Sequence, residues 1–457
     1  MLSVDHALSE IYSAIERLQP RRLPLADALG LVLAEEVIAS EDLLPFANSA
    51  MDGYAVASKD TAGATAEAPR ALKVTQEVPA GRWPRSPLAA GCAAKIMTGA
   101  PLPEGADAIV RVEWTERREN GIVLVKRSVA PGDDVRPAGE DVRRGERVLR
   151  QGTLLRPAEI AMLAALGHPD VLVFPRPRVA ILTTGSELVE PGEAVPPGHI
   201  RDSNRYSLAA QILWCGGTVG PSFHVPDEPL PVEQALRQCA ETDLIITSGG
   251  VSVGDFDLVK EVLARLGRIR FWKVAIRPGK PLVFGEINGR PLFGLPGNPV
   301  SSMVAFEVFV RPAIDRMRGV PPRPHLRGRL AQPVAHKPGR RTYLRAAVTQ
   351  EDGVLMIYPA QAQGSGQISS LVKANALVII PESTEVVGIG EWAEIIPLWD
   401  SFPVLEQARK GIREGRKGAP NAVPVISIVG RKKAGKTTLV EALVRCLTGR
   451  GYRVGTV

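Results

Sequence analysis

Cysteine is scarce: Cys92, Cys215, Cys239 and Cys446 are the only four in 457 residues, and no two are spaced as a CxxC pair or a zinc-binding set. That excludes a disulfide-stapled secreted scaffold and a structural zinc site, and leaves the reduced, mostly packed thiols of a cytoplasmic protein. Long apolar runs are missing too, and none approaches the ~20 residues that a membrane-spanning helix needs. No targeting leader is expected, since Met1 to Pro20 carries acids and a helical stripe instead of a basic head and an apolar core. Nor does one sign of charge dominate. Lysine and arginine total 56 against 49 acids, and the net +7 is interspersed along the chain. Such a balance fits an anionic small-molecule substrate and requires neither nucleic acid nor membrane as a partner.

What is present is concentrated between Pro177 and Pro299. Val179 to Thr184 is a short apolar run that ends in Gly185, Ser186 and Glu187, and Leu244 to Ser248 repeats the pattern before Gly249, Gly250, Ser252, Asp255 and Asp257. Runs of this kind alternating with amphipathic segments predict βαβ units and a doubly wound parallel sheet. In such sheets ligands sit beyond the carboxyl ends of the strands. That edge is where Asp227, the Arg277 to Lys280 loop and the Leu295 to Pro299 loop also fall. Glycines let backbone N–H groups approach an oxyanion, while lysine and arginine add full charge. Carboxylates cannot hold that anion directly, so Glu187, Asp227 and Asp257 suggest a bridging magnesium ion. A lone loop aspartate is more often simply solvated. Four loops at one edge weaken that plainer reading.

Elsewhere the pattern predicts an α/β multidomain chain. Ser3 is placed to cap a first helix carrying Val4, Leu8, Ile11, Ile15 and Leu18 and ending at Pro20, and Gly30 to Ser40 reads as a strand. Arg156 to Leu166 is a second helix, with Pro157 near its start and Gly167 as its stop, expected to pack on the first. The expected units are a discontinuous helical subdomain (1–44 and 142–176), an inserted β-rich domain (45–141), the sheet domain (177–319), a C-terminal β-barrel (320–400), a basic linker (401–422) and a partial P-loop unit (423–457). Within the sheet domain Ser203 is placed to cap a helix over Asn204 to Trp214. Strands are expected at Thr342 to Val348, Leu355 to Tyr358, Ala376 to Pro381 and Glu394 to Ile396.

Several motifs together carry a family resemblance: Asn48 to Ala55, Ile96 to Ala100, Arg136 to Asp141, Ser248 to Gly254 with Asp257, Lys273 to Pro281, and Leu295 to Pro299. From the N-terminus to about Pro397 the chain resembles the molybdopterin molybdenumtransferases, MoeA-type proteins that include the E domain of gephyrin. The resemblance implies insertion of molybdate into adenylylated molybdopterin, with AMP released, in a magnesium-dependent homodimer that works among other molybdenum cofactor biosynthesis proteins. It also implies that Asp52, Thr98, Glu187, Asp227, Asp257, Lys273, Arg277 and Lys280 are catalytic, with Glu187, Asp227 and Asp257 on the metal. Substrate contacts are implied for Arg136, Asp141, Gly185, Ser248, Gly249, Gly250, Ser252, Pro296, Gly297, Asn298 and Ser365. Two positions depart from the family's usual pattern: Ser186 stands where an aspartate is common, and Arg277 where a lysine is common. Two other functions remain open, a molybdopterin adenylyltransferase and a gephyrin-like scaffold.

Beyond the linker, Val425 to Val429 leads into Gly430, Gly435, Lys436, Thr437 and Thr438, which satisfies the P-loop pattern with a strand before and a helix after it. This stretch resembles the start of the adapter protein of molybdopterin guanine dinucleotide synthesis. With only about twenty residues after Lys436, weak nucleotide binding and no part in molybdate insertion are expected of it, because magnesium and base recognition need later strands.

Overall fold

Strands whose residues are apolar on both sides can be stable only between two covering layers. Six strands meet that condition or flank those that do: β1 (Arg178–Thr184), β2 (Thr218–Val225), β3 (Leu244–Ser248), β4 (Gly267–Lys273), β5 (Pro281–Ile287) and β6 (Arg290–Leu295). The computed structural model, which describes residues 1–250 and 258–398, arranges them in one sheet of order β2-β1-β3-β6-β5-β4. β2, β1, β3 and β6 are parallel, while β5 runs antiparallel to β6 and β4 antiparallel to β5. The two-residue alternation of a strand divides its side chains between two cores. Val179, Ile181, Leu244 and Ile246 enter one, and Ala180, Leu182 and Ile245 enter the other with Val232, Leu236 and Leu263. The second core is closed by helices Pro229–Gln238 and Leu258–Leu266.

The first core is covered by helix Asn204–Trp214, which has the bounds expected from its sequence, and by a long helical run from Pro299 to Met317. That run is α-helical over Pro299–Ala305, passes through a π-turn at Phe306–Val310 and resumes as α-helix at Arg311–Met317. Pro312 explains the interruption, because it has no N–H to donate and its ring crowds the carbonyl four residues back. A π-turn just before it relieves both problems. Arg311 donates its N–H to the carbonyl of Phe306, five residues earlier.

Three expectations are corrected. The first helix spans Val4–Ala14 and stops well before Pro20; Ser3 does cap it, its Oγ accepting from the His6 N–H at 3.2 Å. This helix does not pack on Pro157–Ala165, because Val4, Ala7 and Ile11 enter the core under the parallel sheet. Its stripe fixed which face is buried and carried no information about the partner. Gly30 to Ser40 is likewise not one strand but two short ones, Val32–Leu33 and Val37–Ile38. Between them Glu35 and Glu36 turn outward to pair with Arg22 and Arg147.

Helix Pro157–Ala165 lies with strands Arg21–Pro24, Asp170–Phe174 and Val32–Leu33 around Leu33, Val142, Leu155, Leu163 and Val173. Its first turn is fastened by Glu159, which accepts from the Arg156 N–H at 2.9 Å and from the Arg156 guanidinium at 2.6 Å. The Arg156 hydrogen bonds outweigh burial and hold the Glu159 carboxyl down at about 2, from 4.5. A carboxyl with a depressed folded pKa contributes stability above its unfolded value and loses it as pH falls toward the folded one. Between pH 4.5 and about 2, Glu159→Gln should therefore show a shallower loss of stability than the wild type in acid unfolding monitored by circular dichroism. Parallel curves would show that Glu159 is not the group that titrates.

Residues 53–125 build a separate six-stranded sheet that includes Gly53–Val56, Arg70–Val78, Cys92–Ile96 and Ala108–Arg111. Farther along, Arg341–Glu351, Val354–Pro359, Leu326–Leu330, Trp392–Pro397 and Ala376–Ile380 pair in that order, and the last pairs back on the first to close a five-stranded barrel. No helix among the described residues is long and apolar enough to cross a membrane.

Candidate active site

After β1 the chain passes through helix Asn204–Trp214 to β2 on one flank, then returns to place β3 on the other flank of β1. A crevice forms where the direction of winding reverses. A cavity of about 410 Å³ occupies that crevice, lined by Thr183, Thr184 and Glu187 beyond β1, by Asp227 beyond β2, by Ser248, Gly249 and Gly250 beyond β3, and by Pro296, Gly297 and Asn298 beyond β6. Glu187, Asp227, Ser248, Gly249, Gly250, Pro296, Gly297 and Asn298 are thus brought together. Gly185 stands just behind them at the end of β1, its carbonyl 3.0 Å from His224 Nε2.

Two of the loops approach too closely for side chains. Gly249 has φ +94°, and a Cβ there would lie 2.3 Å from the Thr184 carbonyl oxygen. Asn204 ties the loops together: its Nδ2 donates to Ser248 Oγ at 2.9 Å and to the Gly297 carbonyl at 2.8 Å. Ser248 Oγ in turn donates to the Pro296 carbonyl at 3.2 Å. Behind this lies a network around Asp202, which is 2% exposed. It accepts from Thr183 Oγ1 at 2.6 Å and pairs with Arg205 at 3.3 Å. Arg205 also pairs with Glu190, whose carboxyl is held below its usual range chiefly by the Tyr206 hydroxyl at 2.9 Å. Asp202, not Ser203, caps the helix, since its Oδ1 accepts from the Arg205 N–H and Ser203 makes no capping bond.

Lys273 ends β4, and Arg277 and Lys280 lie in the connection from β4 to β5; all three are at the same edge but do not line the cavity, whereas Pro281, the residue after Lys280, does. Lys273 Nζ sits 3.7 Å from the Trp272 ring centroid. The backbone at Arg277 pairs with Thr342 of the barrel, and burial, helped by the nearby charge of Arg277, pushes the Arg340 guanidinium pKa down. Asp52 and Thr98 meet each other in the second sheet, where Asp52 Oδ1 accepts from the Thr98 N–H and hydroxyl, both at 2.7 Å. They are exposed and do not line the cavity, and neither do Arg136 and Asp141, which are also exposed. Ser365 comes from the barrel, and its carbonyl accepts from the Val300 N–H at 3.0 Å. The Gly364 and Ala362 carbonyls beside it are bonded by the buried Arg345. Ser252, Asp257, Gly430, Gly435, Lys436 and Thr437 lie outside the described residues.

The sequence reading missed Thr184, Asp202 and Asn204 as cavity residues. A polar Asp-Ser-Asn triplet opening the helix after β1 was the available signal.

A winding-reversal crevice lined by acids and glycine turns, with cations nearby, is where α/β proteins of this class bind ligands beyond their strand ends. Family models match almost all of the chain: the MoeA N-terminal region (domain I and II) over residues 2–167, a probable molybdopterin binding domain over 180–316, the MoeA C-terminal region (domain IV) over 327–398, and molybdopterin guanine dinucleotide synthesis protein B over 425–457. The chain is 39% identical over 409 residues to molybdopterin molybdenumtransferase 2 of Mycobacterium tuberculosis, covering 88% of this chain and 100% of that one. It is 34% identical to the molybdopterin molybdenumtransferase of Haemophilus influenzae, covering 87% and 98%. A crystal structure of a molybdopterin biosynthesis MoeA protein from Pyrococcus horikoshii superposes with a TM-score of 0.75 at 33% identity, covering 87% of this chain and 99% of that chain. The chain belongs to the molybdopterin molybdenumtransferase family.

Proposed function

We propose that the protein inserts molybdate into adenylylated molybdopterin and releases AMP, acting in the cytoplasm alongside other proteins of molybdenum cofactor biosynthesis. The observation that carries this reading is the convergence of Glu187 and Asp227 with the Gly249, Gly250 and Gly297 turns on one strand-end cavity, in a chain whose relatives are named for this transfer. The glycine turns offer N–H groups to phosphate oxygens. Lys273, Arg277 and Lys280 stabilise negative charge that builds as the phosphoanhydride breaks.

Magnesium is bound in such sites through one or two carboxylates plus substrate phosphates, so a full protein cage is not needed. The residues present fit that arrangement. Among the described residues Asp227 Oδ1 is buried without a hydrogen-bond partner, and Glu187 lines the same cavity. Glu187 and Asp227, with Asp257, would hold the ion, whose chemistry is to polarise phosphate and oxyanion oxygens.

Asp52 and Thr98 lie outside the cavity of their own chain. We assign them to the cavity of a second copy in a homodimer. The test is AMP release from adenylylated molybdopterin by the purified chain with and without molybdate. Molybdate-dependent release is expected, and mixing Asp52→Ala with Asp227→Ala chains should restore part of it. ATP consumption with unadenylylated molybdopterin would instead identify an adenylyltransferase, and no turnover at all would favour a scaffold.

A further inference from the structure

Three buried side-chain oxygens among the cavity residues have no hydrogen-bond partner among the described residues: Thr184 Oγ1, Asn204 Oδ1 and Asp227 Oδ1. Thr184 is 5% exposed and Asn204 is 9% exposed. Buried polar atoms are nearly always paired, so three orphans around one cavity mark a place where a partner is supplied from outside. The orientation of Asn204 is not arbitrary. Turning its amide over would set Oδ1 against the Gly297 carbonyl, which accepts from Nδ2 at 2.8 Å. Its oxygen is therefore held as an acceptor. A carboxylate oxygen and an amide oxygen accept only, and a threonine hydroxyl can do so. This wall calls for donors, whereas the glycine turns beyond β3 and β6 present N–H groups suited to an anion.

We propose that Thr184 and Asn204 form an acceptor wall that recognises the N–H edge of a heterocycle, while the Asp227 carboxylate is left to the magnesium ion. Resting on the proposed function, that heterocycle is the pterin ring, which carries an exocyclic amino group and ring N–H donors; its phosphates lie toward the glycine turns. Thr184 and Asn204 thereby set ligand specificity, distinguishing a donor edge from a carbonyl-rich one. A hard cation is the less suitable partner for Thr184 and Asn204, whose oxygens are neutral, since a cation of this kind prefers charged oxygens.

The discriminating variant is Thr184→Val, which removes the orphaned oxygen and keeps the shape. Deleting an unpaired buried hydroxyl should leave the melting temperature of the ligand-free full chain unchanged or raised. Affinity for adenylylated molybdopterin should fall by about tenfold or more, the loss expected for one buried hydrogen bond. Affinity for AMP alone should be unchanged. Asn204→Ala should weaken the same ligand, at some cost in stability because it also unties Ser248 from Gly297. Unchanged affinity for adenylylated molybdopterin in both variants, or an equal loss of AMP affinity, overturns the wall. So does a marked fall in the Thr184→Val melting temperature, and so does loss of magnesium binding, titrated alone, in parallel in both variants. If the wild type fails to bind adenylylated molybdopterin, the functional reading falls first and this inference with it.

Discussion

Replacing Asp227 by alanine is expected to lower molybdate-dependent AMP release by about a hundred- to a thousandfold, the cost of removing one preorganised electrostatic group from an active site. The protein should stay folded. Asp227 follows β2 in a loop, its N–H reaches Ser186 Oγ only at 3.4 Å, and its buried Oδ1 has no partner to lose among the described residues. Its carboxylate therefore contributes little to the core, and removing a charge that is partly desolvated without compensation does not weaken the free protein. Asp227→Asn, which keeps the shape and removes the charge, should lose a similar amount if the carboxylate serves a cation. Steady-state rates at saturating magnesium together with melting curves test this. Activity within a few fold of wild type would remove Asp227 from the chemistry.

The second large effect concerns the fold. Arg311 pairs with Glu307 at 2.8 Å, with both side chains under 10% exposed, at 3% and 8%. Glu307 also accepts from Gln211 Nε2 at 3.0 Å. Burial pushes the neighbouring Asp315 carboxyl up, against the pull of Arg323, Arg311 and Arg318. Breaking a buried pair by removing one partner leaves an uncompensated charge and costs about 3–5 kcal/mol. Arg311→Met should lose that much in urea unfolding. The double variant Arg311→Met with Glu307→Gln should recover part of it, because no orphaned carboxylate remains at position 307. If the two losses are equal, the pair is not what the arginine supports.

Much of this architecture was legible because it rests on period and punctuation. The apolar runs of β1 and β3, Pro157 and Gly167 around the second helix, and the bounds of Asn204–Trp214 follow from local chemistry. So does the fall of Glu187, Asp227 and the glycine turns at one edge, since parallel strands bring their carboxyl ends together. What stayed hidden depends on partners far apart in the chain. Val4, Ala7 and Ile11 show a buried face without showing that the parallel sheet covers it. Glu35 and Glu36 break a strand through arginines at positions 22 and 147. Thr184 looks like the last residue of a strand and Asn204 like the first residue of a helix. Their unpaired oxygens become visible only when Ser248 and Gly297 have taken up the remaining hydrogen-bonding capacity of Asn204.

The contact between the Ser365 carbonyl and the Val300 N–H joins the barrel to the first turn of the helix that follows Pro296, Gly297 and Asn298. That N–H belongs to a helix start, where no carbonyl of the helix itself can satisfy it. Arg345, nearly fully buried, stiffens the barrel's side through the Ala362 and Gly364 carbonyls. The barrel therefore acts as a strut against the floor of the cavity. Tilting it pulls on the Gly297 turn or breaks a hydrogen bond that nothing in the helix replaces, so the shape of the pocket and the seating of the barrel are mechanically one variable.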